Sequence, residues 1–309
     1  SDIIDALHNP TARLHNPLMG DAAVQLGELQ IVSLAQQERP GMRKFRVQDL
    51  LPEQSITSLY GDSGHGKSHL AATLGQCVAR GDSFLGLQTL TGKVLYVDWE
   101  LDLEEQTRCA FEVADGLGYS GPPEGFDYVR IDSPLTDCLP WLDDQIRSNR
   151  YELIIIDSFG LACGGDSESS RFVIPFQRAL RQLPSTVLVV DHQSRLQAGQ
   201  SYRNKDAFGS IYKKHLSRSA IQLQVIIDQG ANKGLALRHA KANFSARREV
   251  LYAWLHFQDG KTMLSMATED EMEQAGAAEE MGVGAQIKTA LREIGKGTAK
   301  AISEQADLN

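Results

Sequence analysis

The sequence contains few of the residues that build disulfide scaffolds or zinc sites. Its 309 residues include four cysteines, none in a CxxC pair, and eight histidines without HExxH-type spacing. Disulfide frameworks and structural zinc sites depend on such spacings, so the sequence argues against both. We expect the cysteines to be reduced thiols in the core, because a free cysteine behaves as a small hydrophobe.

Long apolar runs are also missing. No stretch approaches the ~18 apolar residues of a membrane helix. The N-terminal SDIIDALHNP has neither the basic nor the apolar region of a signal peptide. We therefore expect a cytoplasmic protein with no membrane partner. The net charge of −9 argues against a protein that coats nucleic acid with its whole surface, although it is compatible with a local basic groove.

Strand-like and helix-like segments alternate through the middle of the chain. This alternation predicts βαβ units and an α/β fold, with a mostly parallel sheet flanked by helices. After Ser219 the predicted strands are joined by short turns, which indicates antiparallel strands at the C-terminal side. The predicted strands before Ser219 are 55–60, 93–99, 126–131, 152–157 and 186–191, and the predicted helices are 68–79, 103–117, 139–148 and 172–183.

A glycine-rich loop lies between the first of these strands and the first helix. Residues 61–68 read GDSGHGKS and match GxxxxGK[ST], the Walker A phosphate-binding loop. Backbone N–H groups and the helix N-terminus face the phosphates in such a loop. Lys67 is placed to reach the β- and γ-phosphates, and the Ser68 hydroxyl to bind Mg²⁺. The predicted site for ATP and Mg²⁺ consists of Gly61, Asp62, Ser63, Gly64, His65, Gly66, Lys67, Ser68 and His69.

Two further strands end in carboxylates. Asp157 ends ELIIID, and ligands bind at the carboxyl edge of open α/β sheets, so we predict that Asp157 holds Mg²⁺ through its water shell. Ser158 follows instead of a glutamate, and the base that activates water must then come from elsewhere. In KVLYVDWE, Asp98 and Glu100 share one face of the strand. We predict that Glu100, at the strand exit, is the base and that Asp98 is structural.

Polar residues also follow the strand TVLVVD. We predict that His192 or Gln193 contacts the γ-phosphate and reports its loss to the next loop. That loop, 195–210, is basic and carries Tyr202, which suits phosphate contacts and base stacking. Between Arg195 and Arg218 there are six basic residues and one acid.

These motifs occur in the order seen in RecA/DnaB-like motor ATPases. The chain most resembles the plasmid RepA-like hexameric helicases, with an AAA_25-type ATPase domain, in the stretches GSIYKKHLSRSAIQL and HAKANFSARREVLYAWLHF. The resemblance covers roughly residues 40–260. It implies a RecA-like P-loop NTPase core within the α/β fold.

The resemblance also implies a homo-hexameric ring whose central pore is faced by the loops 163–170 and 195–210, so we expect single-stranded DNA to bind through 195–210. The loop 163–170 carries Asp166 and Glu168, which makes it a poor phosphate binder. In such rings an arginine from the neighbouring subunit completes the ATP site, and Arg218 matches that position, with Lys241 as a second cation. The alternative is that both are solvated surface charges. The predicted catalytic residues are then Glu100, Lys67, His192, Gln193, Arg218 and Lys241.

Composition divides the chain into four predicted parts. An N-terminal arm (1–40) precedes the RecA-like ATPase domain (41–265), and an acidic linker (266–284) follows it. Residues 285–309 read as the start of a helix-turn-helix whose third helix is missing, which suggests truncation. An αα-hairpin packed on the core is the alternative for this last part.

Three functions are compatible with these features. The first is a ring-forming, DNA-stimulated ATPase, such as a helicase or helicase-like replication factor of a mobile element. The second is a RecA-fold regulatory ATPase that acts on protein or binds DNA only through the C-terminal helix-turn-helix. The third, a small-molecule kinase, leaves Arg218 and Lys241 unexplained and lacks a recognisable acceptor site.

Overall fold

The structure is a computed structural model that describes residues 32–192, 217–277, 281 and 283–294. The chain divides into two units, Ser1–Met42 and Arg43–Asn309. The described part of the first unit contains a 3₁₀ turn at Leu34–Gln36. Most of the predicted N-terminal arm lies outside the described residues.

The second unit alternates strands and helices, as predicted. Its strands are β1 (Phe45–Val47), β2 (Leu51–Pro52), β3 (Ile56–Gly61), β4 (Lys93–Asp98), β5 (Phe126–Arg130), β6 (Tyr151–Asp157), β7 (Thr186–His192), β8 (Ser219–Gln229), β9 (Asn232–Ala242), β10 (Leu251–Gln258) and β11 (Lys261–Ala267). Its helices are α1 (Lys67–Arg80), α2 (Leu103–Gly116), α3 (Leu135–Asn149), α4 (Phe159–Ala162), α5 (Ser170–Leu180), α6 (Glu269–Met272) and α7 (Val283–Ile294), with a π-helical turn at Glu273–Ala277.

Nine of the described strands form one sheet in the order β11-β10-β9-β8-β3-β7-β6-β4-β5. The pairs from β8 through β3 to β5 are parallel. The pairs from β8 to β11 are antiparallel. The predicted fold class, a RecA-like α/β core with antiparallel strands at the C-terminal side, is confirmed. Strand β11, whose residues do not alternate between buried and exposed, forms the antiparallel end of the sheet.

Period-two alternation explains why the central strands are apolar throughout. In β6, Ile155 packs in the cluster on one face of the sheet, together with Leu74 of α1. Its neighbour Ile156 packs in the cluster on the other face, together with Phe176 of α5. A parallel strand covered by helices on both faces buries every side chain, and all residues of β6 from Leu153 onward are buried.

Helix α3 begins earlier than the sequence predicts. The sequence predicts a start at 139, one residue before Pro140. The observed helix begins at Leu135 and has Pro140 in its interior. Leu135 is fully buried, so burial of the added turn offsets the backbone hydrogen bond that proline cannot make.

Part of the predicted acidic linker is helical and packed. Met272 and Ala277 are buried in a cluster with Ile226 of β8 and Ala285 of α7. The acidic residues that suggested a solvated linker instead pair with basic residues of α7. Lys288 Nζ lies 3.1 Å from Glu269 Oε1, Arg292 Nη2 lies 2.7 Å from Asp270 Oδ1, and Arg292 Nη1 lies 2.6 Å from Glu273 Oε2.

Helix α7 agrees in position with the first helix predicted for 285–309. It packs against β8, which is the arrangement expected of a helix docked on the core. The predicted second helix, in 295–309, lies outside the described residues.

None of the four cysteines, all of them among the described residues, forms a disulfide; Cys77, Cys109 and Cys163 are buried and Cys138 is half-buried. Burial raises the pKa of Cys77 and of Cys109 to about 12, so both thiols are protonated at neutral pH. Among the described helices, none has the length and apolar character needed to span a lipid bilayer.

Replacing Gly61, the last residue of β3, should destabilise the fold. A Cβ atom here would lie 2.4 Å from the carbonyl oxygen of Leu223 on β8. We expect Gly61→Ala to lower the free energy of unfolding by about 1–3 kcal/mol, the usual cost of overpacking. Urea unfolding measures it, with Gly160→Ala as the control, because a Cβ atom at Gly160 meets nothing within 4 Å. Equal stability of the two variants would contradict this prediction.

Candidate functional site

The register of the sheet brings four strand ends to one edge. Gly61 of β3 lies opposite His192 of β7, and Asp98 of β4 lies opposite Asp157 of β6. Strand β7 separates β3 from β6. The Walker A loop, the predicted sensor, the predicted Mg²⁺ ligand and the strand that leads to Glu100 are therefore neighbours.

The Walker A loop needs glycine at its turn into α1. Gly66 precedes the helix with φ of +84°, in the left-handed region, which glycine adopts at no steric cost. Asp62, Ser63, Gly64 and His65 form the exposed or half-buried part of the loop. The N-terminus of α1 opens onto this loop, where its free N–H groups can face an anion.

The side chain of Lys67 is buried against its own loop. Its Nζ donates hydrogen bonds to the carbonyl oxygens of Gly61, at 3.0 Å, and Asp62, at 2.8 Å. Burial lowers the pKa of Lys67, and the carboxylates of Asp157 and Glu100 oppose that change. The ammonium group is therefore held at the mouth of the loop, where a phosphate can replace the two carbonyl oxygens.

Asp157 and Ser68 form an oxygen donor pair suited to Mg²⁺. Asp157 is 4% exposed. Burial raises its pKa, and hydrogen bonds from Tyr96 and Ser68 oppose the rise. The Tyr96 hydroxyl donates to Oδ2 of Asp157 at 2.6 Å and orients the carboxylate. The peptide bond between Asp157 and Ser158 is cis.

The described residues contain no cluster of three or more His, Cys, Asp or Glu side chains that could bind a metal unaided. That fits Mg²⁺, which proteins usually hold through one or two side chains together with substrate phosphates. Ser68 and Asp157 would hold the ion, which when bound neutralises negative charge on the phosphates.

Glu100 lies beside both Ser158 and His192. The Ser158 hydroxyl donates a hydrogen bond to Oε1 of Glu100, and the same oxygen lies 3.5 Å from Nε2 of His192. The hydrogen bonds from His192 and Ser158 hold the pKa of Glu100 below its usual range. The carboxylate is therefore ionised at neutral pH, as a group that accepts a proton from water must be.

His192 lies between the Walker lysine and the predicted base. Its Nδ1 is 3.4 Å from Nζ of Lys67. An ammonium group can only donate, so Nδ1 accepts and Nε2 carries the hydrogen that faces Glu100. His192 therefore contacts both groups that the chemistry requires, in keeping with the predicted sensor position. Gln193 and the loop 195–210 lie outside the described residues.

Asp98 has the structural position that the sequence predicts. Its Oδ1 accepts hydrogen bonds from the N–H groups of Glu100, at 2.7 Å, and Leu101, at 3.1 Å. These bonds form the turn that carries Glu100. Burial raises the pKa of Asp98 to about 6.

Sequence reasoning missed three residues that line the nucleotide cavity, Leu101, Lys233 and Phe257. This cavity of about 310 Å³ is bounded by the Walker A loop, Glu100, Lys233 and Phe257. Lys233 Nζ donates to the Gly64 carbonyl at 2.8 Å, and Phe257 packs edge-on against His69 with 5.0 Å between ring centroids. Lys233 and Phe257 belong to β9 and β10, which lie far along the chain from the Walker A loop, so only the tertiary structure shows that they reach the cavity.

Arg218 and Lys241 lie at the opposite edge of the sheet. Arg218 precedes β8, and its N–H bonds to the carbonyl of Ile56, the first residue of β3. A β-strand rises about 3.3 Å per residue, so β3 separates this point from Gly61 by about 17 Å. Lys241 lies opposite Ala220, and burial and the charge of Arg218 lower its pKa. Neither side chain lies at the Walker A loop of its own chain.

We expect Glu100→Gln and Asp98→Asn to have different effects on turnover. Glutamine keeps the shape of Glu100 but accepts no proton, so kcat should fall by about 10²–10⁴-fold while ATP binding persists. Asparagine keeps an oxygen for the N–H groups of Glu100 and Leu101, so Asp98→Asn should keep most of the rate. Steady-state ATPase assays and nucleotide titrations measure both. Loss of turnover in Asp98→Asn with a mild Glu100→Gln would show that the wrong carboxylate was chosen.

The same Asp98→Asn variant tests the raised pKa without nucleotide or Mg²⁺. The folded protein binds this proton more tightly than the unfolded chain does. The contribution of Asp98 to stability is therefore greatest below its ordinary pKa of 3.8 and falls as the pH rises to about 6. The stability of Asp98→Asn relative to the unsubstituted protein should thus increase between pH 5 and pH 7 in urea unfolding. A constant difference would refute the shift.

Comparison with known proteins agrees with this geometry. The family model described as an AAA domain, AAA_25, matches residues 24–198, more than half of the chain. A KaiC-like protein from the hyperthermophilic archaeon Pyrococcus horikoshii OT3 matches with a TM-score of 0.52 and 12% identity, over 74% of this chain and 100% of that chain. At that identity the match concerns the fold alone. No curated protein sequence matches the chain.

The family match covers the Walker A loop, Glu100, Asp157 and His192. Neither comparison distinguishes the RepA-like helicases from other RecA-fold ATPases. The chain belongs to the AAA_25 family and is a RecA-like P-loop ATPase.

Proposed function

We propose that this ATPase is a ring-forming motor in which each ATP site is completed by the neighbouring subunit. In this proposal it acts as a DNA helicase or helicase-like replication factor of a mobile element, in the cytoplasm. The observation that supports it most is the distance between the Walker A loop and the pair Arg218 and Lys241. The two groups lie at opposite edges of the sheet.

That distance bears on the chemistry of phosphoryl transfer. Negative charge on the γ-phosphoryl group must be stabilised in the transition state, and Lys67 supplies one cation for it. In related systems an arginine supplied in trans is worth about 10³–10⁵-fold in kcat. Arg218 is exposed and cannot reach its own loop, so a subunit packed head to tail is the geometry that uses it. Such heterologous contacts form a ring when the rotation between neighbouring subunits closes.

The other residues of the site have roles consistent with hydrolysis. Glu100 is placed to accept a proton from water, and Asp98 holds the turn that carries it. His192 contacts both Lys67 and Glu100. A phosphate that displaces the Lys67–His192 contact would change the position of His192 at the start of the loop 195–210. This offers a route from nucleotide state to that loop.

The DNA part of the proposal rests on the sequence of the loop. Residues 195–210 contain Arg195, Arg203 and Lys205 with Tyr202 and one acid, Asp206. Cations bind phosphates, and an aromatic side chain can stack on a base. We propose single-stranded DNA as the ligand and a homo-hexamer as the assembly.

ATPase rates with and without single-stranded DNA test the motor proposal, together with the mass of the protein with an ATP analogue. We expect DNA to increase kcat, and the analogue to shift the mass to that of a ring. Lys67→Ala is the control, since it removes the phosphate-binding ammonium and should abolish turnover. A strand-separation assay then tests helicase activity. If the protein is a monomer and DNA does not change its ATPase rate, the result would favour the alternative function, a regulatory ATPase that acts on protein.

Arg218→Ala should reveal whether the site is shared between subunits. The variant keeps its Walker A loop, so it should bind ATP almost normally, but it should be slow alone because every interface lacks the arginine. Mixed with an equal amount of Lys67→Ala, it should recover activity. In the mixture some interfaces pair an intact loop with an intact Arg218. Steady-state ATPase assays on mixtures shown to co-assemble measure the recovery.

Two results would overturn the shared site. One is the absence of recovery in mixtures whose co-assembly is demonstrated by mass. The other is full activity of an isolated monomer. Either result would make Arg218 a solvated surface charge.

A further inference from the structure

A second cavity lies at the edge of the sheet where Arg218 precedes β8. Its volume is about 260 Å³. Three arginines line it, and each comes from a different segment: Arg43 before β1, Arg181 after α5, and Arg218 before β8. No carboxylate lines it. The remaining lining residues are Gln54, Ser55, Ile56, Leu180, Leu183, Ser185 and Phe244.

This concentration of positive charge is unusual for a chain with a net charge of −9. Two nearby arginines of the same unit have acidic partners: Arg46 pairs with Glu53 and Glu152, and Arg248 pairs with Asp49. Within the described residues, the three arginines of the cavity form no salt bridge. Their mutual repulsion has no acidic compensation in the described structure, so an anion would relieve it.

The guanidinium of Arg43 is already positioned. Its Cζ lies 3.7 Å from the ring centroid of Phe244. A guanidinium that stacks on an aromatic ring is restrained, yet its in-plane N–H groups remain free to donate. Stacking thus lowers the entropy cost of ordering Arg43 around a ligand.

The chemistry of the cavity indicates a phosphate-bearing ligand. Guanidinium groups bind phosphate with paired N–H donors, which suits several arginines that converge on one anion. The cavity is smaller than the roughly 300–1,000 Å³ of a pocket that encloses a whole small molecule. It can hold the phosphates of a nucleotide whose base and sugar lie elsewhere.

We propose that Arg43 and Arg181, together with Arg218, contact the phosphates of ATP bound to the Walker A loop of a second copy of this chain. This inference rests on the proposed head-to-tail assembly and extends it from one trans arginine to a three-arginine pocket. Arg43 and Arg181 are then catalytic residues supplied in trans. A bound nucleotide would offset the repulsion within the pocket and tighten the interface between copies.

Single substitutions at Arg43 and Arg181 test the pocket. Glutamine keeps much of the side chain's length and removes the charge. We expect Arg43→Gln and Arg181→Gln each to lower kcat on the order of 10- to 100-fold, the value of a hydrogen bond to a charged group. Arg178→Gln is the matched control, because Arg178 belongs to α5, is exposed and does not line the cavity. Arg43→Lys should retain more activity than Arg43→Gln, because it keeps a cation.

Mixing separates a role in trans from damage to the variant's own fold. Each slow variant has an intact Walker A loop, and Lys67→Ala has an intact three-arginine pocket. Equal mixtures with Lys67→Ala should therefore recover activity. Absence of recovery for Arg43→Gln and Arg181→Gln in co-assembled mixtures, or rates equal to that of Arg178→Gln, would overturn the pocket.

Arg218→Ala in the same series distinguishes the two proposals. Recovery with Arg218→Ala but no defect in Arg43→Gln or Arg181→Gln would leave the shared site standing and remove the pocket. No recovery with Arg218→Ala would remove the shared site, and the pocket with it.

Discussion

The parallel pairing of β3, β7, β6 and β4 is the constraint on which the rest of the structure depends. Parallel strands end at one edge, and the observed register places Gly61 beside His192 and Asp157 beside Asp98. A slip of one residue in β6 would exchange the two faces of that strand. It would also withdraw Asp157 from Tyr96, which orients its carboxylate. The apolar side chains that alternate between the two cores hold this register, so the hydrophobic packing positions the chemistry.

The site concentrates charges that would be costly to bury separately. Lys67 and Asp157 are both nearly inaccessible to water, and burial disfavours the charged form of each. Because the two charges are opposite, each offsets part of the free-energy cost of burying the other. Lys67 donates to the carbonyl oxygens of its own loop, and Asp157 accepts a hydrogen bond from Tyr96. Nucleotide phosphates can replace the carbonyl contacts of Lys67, because a phosphate offers its ammonium group an acceptor of greater negative charge than a carbonyl oxygen.

The two edges of the sheet differ in charge. One carries the carboxylates Asp98, Glu100 and Asp157, and the other carries Arg218 and Lys241 with the arginines of the second cavity. The two edges cannot meet within one domain, because they lie at opposite ends of β3 and the length of that strand separates them. The carboxylates of the acidic edge suit a metal ion and the activation of water. The basic edge has no such use within one subunit, and this asymmetry underlies both proposals.

The sequence alone determined the fold class and the nucleotide loop, because both depend on local patterns. Alternation of apolar residues predicts buried parallel strands, and GDSGHGKS requires a specific backbone path between a strand and a helix. Composition was less reliable from 266 to 284. The acidic residues there suggested a linker, but in the structure they form salt bridges with Lys288 and Arg292 of a later helix. The tertiary structure decided which distant residues meet. Lys233, Phe257 and the three-arginine cavity depend on contacts between segments far apart in the chain, and a single sequence carries no local signal for such contacts.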